Sequence, residues 1–286
     1  VADATTKVRA DANLDVAAIA DIAAARNEYE MFQVIVRGDS SLRISDIHYE
    51  LPTLPSAGLS DLDRVMIYRA GYMRVTQRSN SEGATGLWPD ALIPKIDSYT
   101  CETRNAFPYE IAAGRNQSFY VDVYVPRGTA AGTYPGTLTV SGSSNQGEFV
   151  HQQALDLAVW NFTVPSTSSL QSSFGFISSY VGQGHRLTLS NDQNRQLGAR
   201  YALSGLRHRI AVTTPMGAAP THTYSNGVVD IDWSIYDADV TPFLNGSAHH
   251  TGATWSAIEM RPFSPRVYQT DGVVGLTAFY KNVADH

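Results

Sequence analysis

The sequence predicts two domains: an all-β sandwich over residues 1–165, then an α/β domain over residues 166–286 that reads as the first part of a (β/α)8 barrel. Three observations carry this. Short strand patterns broken by Gly and Pro fill the first 165 residues. A polar link, Ser166-Thr-Ser-Ser169, follows Asn161-Phe-Thr-Val-Pro165. Beyond it, strand and helix patterns alternate, as they do in a parallel α/β layer.

In the first domain, Phe119, Val121, Val123 and Val125 alternate with Tyr120, Asp122 and Tyr124, a period-two strand ended by Pro126-Arg127-Gly128. Tyr134 to Val140 and the alternating Leu155, Leu157 and Val159 are further strands, as are Met31 to Arg37 and Arg64 to Arg69. Val16 to Arg26 is Ala-rich, so propensity alone favours a helix there.

In the second domain, Ser172 to Ile177 reads as a strand. Ser190 and Gln193 form a capping box for a helix that runs to about Ser204 and is stopped by Gly205. Ile210 to Thr214 is a second strand. A hairpin turning at Asn226-Gly227 follows, with Val229, Ile231 and Trp233 alternating. Tyr236, Val240, Phe243 and Leu244 have helical spacing, ended by Gly246. Trp255 to Met260 is a third strand, and Leu276, Phe279, Tyr280 and Val283 mark a third helix. These make three barrel units, where a complete barrel takes about 250 residues. The expectation is the front portion of a larger protein, completed by its own C-terminal remainder or by another copy.

Composition excludes several classes. Of 286 residues, 43% are hydrophobic and 17% charged, enough to build cores. Acidic side chains outnumber basic ones, 27 to 21, and the basic ones are scattered, which argues against nucleic acid. No apolar run is long enough for a membrane span. The N-terminus lacks a signal pattern, so the protein is either cytoplasmic or has lost a signal, and the single cysteine leans towards export after signal removal. Cys101 cannot form a disulfide within the chain, and it is read as a small buried hydrophobe. No G-x-S-x-G elbow, P-loop or G-x-G-x-x-G occurs. No metal or cofactor is expected; adjacent His249 and His250 lack a third ligand at useful spacing.

Several segments resemble glycoside hydrolase family 123. They are Asn27-Glu-Tyr-Glu-Met-Phe-Gln33, Trp88-Pro-Asp-Ala-Leu-Ile-Pro94, Ala131-Gly-Thr-Tyr-Pro-Gly-Thr-Leu-Thr-Val140, Asn161-Phe-Thr-Val-Pro-Ser-Thr167 and His208-Arg209-Ile210. The resemblance covers about residues 27 to 210. It implies an N-terminal sandwich before a catalytic barrel, and an extended Val16 to Arg26 against its propensity. It also implies removal of β-linked N-acetylgalactosamine, with the substrate's acetamido group as nucleophile and an adjacent Asp-Glu pair assisting. A glycan is then the partner, and export or the cell surface the location.

Glycoside hydrolysis uses two carboxyl groups flanking the scissile bond. No two acidic residues adjoin in this sequence, so the catalytic pair is expected outside the chain. Asp61/Asp63 and Asp230/Asp232 read as surface or strand positions. The substrate-binding candidates are Glu259 and Arg261, near the C-terminal end of the third strand, where barrel sites are built; their alternative is a pair with each other. Trp255 and Trp88 are candidates for stacking on a pyranose, against core packing for the first and a junction role for the second. His208 and Arg209 either reach the site or stabilise the opposite barrel face. The rival to the hydrolase reading is a non-catalytic carbohydrate-binding or assembly protein on the same scaffold.

Overall fold

The structure is a computed structural model that describes residues 1–13, 22–184, 186–214, 220–225, 228–258 and 265–286. It divides into two compact units, Val1–Val164 and Pro165–His286.

The first unit runs β1 (Ala2–Asp3), β2 (Ile22–Arg26), β3 (Glu28–Val36), β4 (Leu42–Glu50), α1 (Asp61–Arg64), β5 (Val65–Val75), β6 (Gly86–Pro94), β7 (Ile96–Asp97), β8 (Glu102–Thr103) and β9 (Tyr109–Ile111). It continues with β10 (Gln117–Val125), β11 (Gly132–Tyr134), β12 (Thr137–Ser144), β13 (Gly147–Ala154) and β14 (Leu157–Thr163). These form a five-stranded sheet β1-β3-β10-β5-β6, a four-stranded sheet β13-β12-β4-β9, a three-stranded sheet β11-β14-β2, and the small pair β7-β8. One core joins the three larger sheets. It takes Phe32, Ile67, Phe119 and Val121 from the first, Ile44, Ile47, Tyr49 and Leu138 from the second, and Ile22, Leu157 and Val159 from the third.

β10 corrects the simple alternation. All nine of its residues are buried, the polar ones included. Both faces of the strand are therefore covered, the second one carrying Ser118, Tyr120, Asp122 and Tyr124. Ile22–Arg26 is a strand and not a helix; it pairs in parallel with β14, and its alanines are small enough to be sealed completely at Ala24 and Ala25. The rest of Val16 to Arg26, up to residue 21, lies outside the described residues. Cys101 is exposed, on a turn with φ +56°, so the buried-hydrophobe reading fails.

The second unit contains β15 (Phe174–Gly175), α2 (Ser178–Gly184), α3 (Asn191–Arg207), β16 (Val212–Thr214), β17 (Thr221–Ser225), β18 (Val228–Asp232), α4 (Ser234–Asn245) and α5 (Pro265–Asp285). β15 and β16 are parallel, with α2 and α3 between them in sequence, which is one βαβ unit. The capping box at Ser190 and Gln193 is present. α3 does not stop at Gly205; it runs on to Arg207 and is capped by His208. Gly205 serves a different need. A Cβ there would lie 2.7 Å from Val212 Cγ2, so the missing side chain lets the helix approach β16. The hairpin pairs Ser225 with Val228, and Asn226-Gly227 lies outside the described residues.

Among the described residues no (β/α)8 barrel is formed. The expected third strand is absent over Trp255–Ile258, and its remaining residues lie outside the description. Here the backbone is held by other means: Trp255 N–H donates to the Phe243 carbonyl at 2.9 Å, and Thr254 N–H to Thr167 Oγ1 at 2.9 Å. Two small cores stabilise the unit. Ala202, Leu206, Val240, Phe243 and Trp255 form one; Val229, Ile231 and Phe279 form the other.

Candidate functional site

In a parallel α/β layer, the C-terminal ends of the strands are where sites are built. β15 is followed at that end by Phe176 and Ile177, and α2 adds Tyr180. The Phe176 ring stacks on Tyr201 of α3, with centroids 4.5 Å apart and planes 28° apart. Ile177 and Tyr180 are 50% and 64% exposed. This end of the unit therefore presents aromatic and apolar surface to solvent, the kind of surface that receives the C–H face of a sugar ring. None of these residues belongs to a motif read from the sequence. The signal was available, as Phe174, Phe176 and Tyr180 cluster at the end of a short apolar strand.

α3 is fixed against α4 by Arg195. Its Nε and Nη2 donate to the two carboxylate oxygens of Asp239 at 2.8 and 2.9 Å, and its Nη1 donates to Asp192 at 3.0 Å. The hydrogen bond to Asp239 raises the Arg195 pKa, keeping its charge fixed. This bidentate geometry is rigid and specific.

The residues predicted from sequence occupy diverse places. Glu259 and Arg261 lie outside the described residues. Trp255 is 6% exposed and stacks on Phe243 at 4.9 Å. Its Nε1 is buried without a hydrogen-bond partner, so the ring faces its own core. His208 lies at the end of α3, with Nδ1 2.8 Å from the Ser204 carbonyl. Arg209 takes φ +57° and donates from Nε to the Pro165 carbonyl at 2.9 Å. It thereby ties the start of the unit to the end of α3.

Trp88 sits on β6, an edge strand of the first unit. Its indole N–H donates to the Ala84 carbonyl at 2.8 Å, and the Arg9 guanidinium stands 5.6 Å from its ring centre. Pro89 and Pro94 explain the edge position, since proline has no N–H for a second ladder. Asp61 and Asp63 lie on α1, where Ser60 caps the helix. Asp230 and Asp232 lie on the exposed face of β18. Among the described residues no group of three or more His, Cys, Asp or Glu side chains could hold a metal ion. No helix among them is long and apolar enough to cross a membrane.

The segments that carry the family resemblance prove to be structural joints. Asn27 takes φ +60° between β2 and β3, a conformation asparagine tolerates better than most residues. Gln33 donates from Nε2 to the carbonyls of Asp3 and Thr6, at 2.6 and 2.7 Å, anchoring the N-terminal residues.

No protein-family model matches the sequence, and no curated protein matches it. Among solved structures, the chain is similar to a family 123 glycoside hydrolase from Clostridium perfringens, described for glycolipid glycan hydrolysis. The identity is 12% and the TM-score 0.50, over 77% of this chain and 40% of that one. It is also similar to AvmM, which catalyses macrocyclization in alchivemycin A biosynthesis (8% identity, TM-score 0.25, 51% and 88% coverage). A further similarity is to the SrpA adhesin of Streptococcus sanguinis (16% identity, TM-score 0.23, 73% and 83% coverage). The last two overlaps are too poor to bear on this chain. The first is a likeness of fold, and this chain spans 40% of that hydrolase's length.

Proposed function

We propose that the chain is the sandwich and barrel-entry part of a glycoside hydrolase-like protein acting on β-linked N-acetylhexosamine, N-acetylgalactosamine in the first instance. The observation that supports this best is the fold likeness to a family 123 hydrolase over 77% of the chain. The order of a sandwich followed by a barrel portion, divided near residue 165, belongs to the same reading. The substrate-assisted, retaining mechanism needs an acid and a carboxylate to polarise the acetamido group. No adjacent acidic pair exists in these 286 residues, so the reading requires that pair from outside them. Glu259 and Arg261 stay as the candidates for hydroxyl contacts. Phe176 and Tyr180 join them as the ring-stacking surface. Export or the cell surface is the location this reading entails.

A second reading, carbohydrate binding without catalysis, is favoured by the same missing pair. One experiment separates the two. The 286-residue chain is assayed for retention on immobilised N-acetylgalactosamine glycans and for release from an aryl β-N-acetylgalactosaminide, alone and as part of its full open reading frame. Retention by the chain, with release only by the fuller protein, is the expected result, and the double variant F176A/Y180A should weaken retention about tenfold. Retention without release by either form selects the binding protein. No retention in any form sinks both readings.

A further inference from the structure

We propose that a cleft in the first unit, along the free edge of β4, is a docking groove for an extended peptide that adds to β4 as a strand and directs a carboxylate to Arg64. The inference is independent of the glycan reading.

The first observation is the open edge. On one side β4 pairs with β12 from Arg43 to Glu50. On the other side β9 reaches only Leu42, Arg43 and Ile44. Among the described residues Asp46 to Glu50 therefore lack a strand on that side, and alternate residues of an antiparallel strand turn both N–H and C=O outward. Other edges are less suited to such addition: β1, β9 and β11 are two or three residues long, β2 is five residues long with none of them exposed, and β6 carries Pro89 and Pro94. β13 is a longer free edge, but six of its eight residues are exposed, so a strand added there would bury little.

The second observation is that a cleft of about 560 Å³ runs beside the open part of β4. That size suits a small ligand or a few residues of chain, since binding clefts run from about 300 to 1,000 Å³. One wall is His48, Glu50 and Leu51. The other is formed by Val65 to Ile67 and Ile96. Leu51, Met66 and Ile67 are buried, so these two walls meet in an apolar floor. A strand lying here would bond its backbone to β4 and place alternate side chains on that floor, as in β-augmentation.

The third observation is charge. Lys95 holds Asp46 at 2.6 Å, so that cation has a carboxylate partner; Glu50 lies 3.0 Å from His48 Nε2. Arg64 donates from Nη2 to the Leu54 carbonyl at 3.0 Å, but its carboxylate contact, Asp61, is 3.8 Å away and fully exposed. Glu50 and Asp61 also line the cleft, but Arg64 Nε is buried without a hydrogen-bond partner, and that unfilled donor sets the preference for an acidic side chain on the incoming strand. A sugar fits less well. The aromatic side chain of the lining, Tyr49, is 2% exposed and donates its hydroxyl to the Leu155 carbonyl at 2.7 Å.

The test uses the full chain and a fluorescein-labelled hexapeptide, Thr-Val-Glu-Val-Thr-Val, in fluorescence anisotropy and hydrogen–deuterium exchange. The expected result is saturable binding with Kd below ~1 mM and slowed exchange at Asp46 to Glu50. N-methylation of alternate peptide amides should weaken binding at least ~10-fold, because the backbone bonds are lost. R64Q should do the same. Replacing the peptide glutamate by lysine must match R64Q, which guards against a variant that misfolds. Q152K on β13 should leave affinity unchanged. No binding at 1 mM, indifference to N-methylation, or protection at β13 in place of β4 would each overturn the proposal.

Discussion

The Tyr124 hydroxyl donates to Oδ1 of Asn27 at 2.8 Å, while Nδ2 of the same Asn27 donates to the Val164 carbonyl at 2.7 Å. One fully buried amide thus joins the end of β10 to the last residue of the first unit. The Asn27 backbone N–H adds a bond to the Val125 carbonyl at 2.7 Å. Asn27 is thus a brace between β10 and the end of the first unit.

Asn27 should be intolerant of alanine for two separable reasons. N27A removes the amide from a sealed site and puts a Cβ-bearing residue with no amide into a left-handed conformation. About 3 kcal/mol of destabilisation is expected. N27G relieves the backbone term and keeps the lost hydrogen bonds, so it should cost less than N27A. Y124F removes one bond and should cost about 1 kcal/mol. Urea titrations of the three variants give the order; a glycine variant no better than alanine would remove the backbone term from the explanation.

Gly136, between β11 and β12, carries a different constraint. A Cβ there would collide with the Leu155 carbonyl oxygen and lie 2.6 Å from the Tyr49 hydroxyl. Since that hydroxyl already donates to Leu155, neither group can move freely. G136A should therefore destabilise by about 2–3 kcal/mol through overpacking, in spite of the entropy alanine saves in the unfolded chain. A midpoint unchanged in chemical denaturation would show that the Tyr49–Leu155 contact yields.

Glu30 should make stability depend on pH. It is half-buried on β3, and its pKa is pushed up to about 7, first by burial and then by the charges of Glu28, Asp3 and Asp122. In the unfolded chain its pKa is near 4.5. The folded state thus binds the proton more tightly, and a carboxyl of this kind favours folding at low pH. Its contribution is complete below about pH 4.5, is lost as pH rises toward 7, and is a constant penalty above that. E30Q should abolish this part of the profile. Thermal melts of both proteins from pH 4.5 to 8 should diverge with rising pH in favour of E30Q; parallel profiles would refute the assignment.

Local patterns made much of the β unit legible, and non-local pairing hid the rest. The alternation around Val121 marks a strand, but it does not reveal that the face carrying Ser118 and Tyr120 is covered as well. Ile22–Arg26 is helical by propensity; its parallel partner, β14, lies more than a hundred residues away and decides otherwise. The capping box at Ser190 is local chemistry and stands as read. Trp255 was legible as an aromatic at a strand-like position, yet its packing on Phe243 depends on α4. The aromatic end formed by Phe176 and Tyr201 joins residues 25 apart in sequence across two elements, which no window over the sequence would reveal.

Gly205 sets helix propensity against packing. Inside α3, replacing glycine by alanine should stabilise the helix by about 1 kcal/mol. The added methyl, however, would lie 2.7 Å from Val212 Cγ2 and 3.1 Å from the Ile210 carbonyl. Gly205 is buried and Val212 belongs to the short parallel pair, so the helix cannot retreat without opening β15–β16. Packing should win, and G205A should destabilise the second unit by about 1–2 kcal/mol. The double variant G205A/V212A tests the cause. Trimming Val212 removes the colliding Cγ2, so the pair should be more stable than the sum of the single changes implies, with a coupling of about 1 kcal/mol. Additive losses would mean that the carbonyl of Ile210, and not the Val212 side chain, keeps position 205 free of a Cβ.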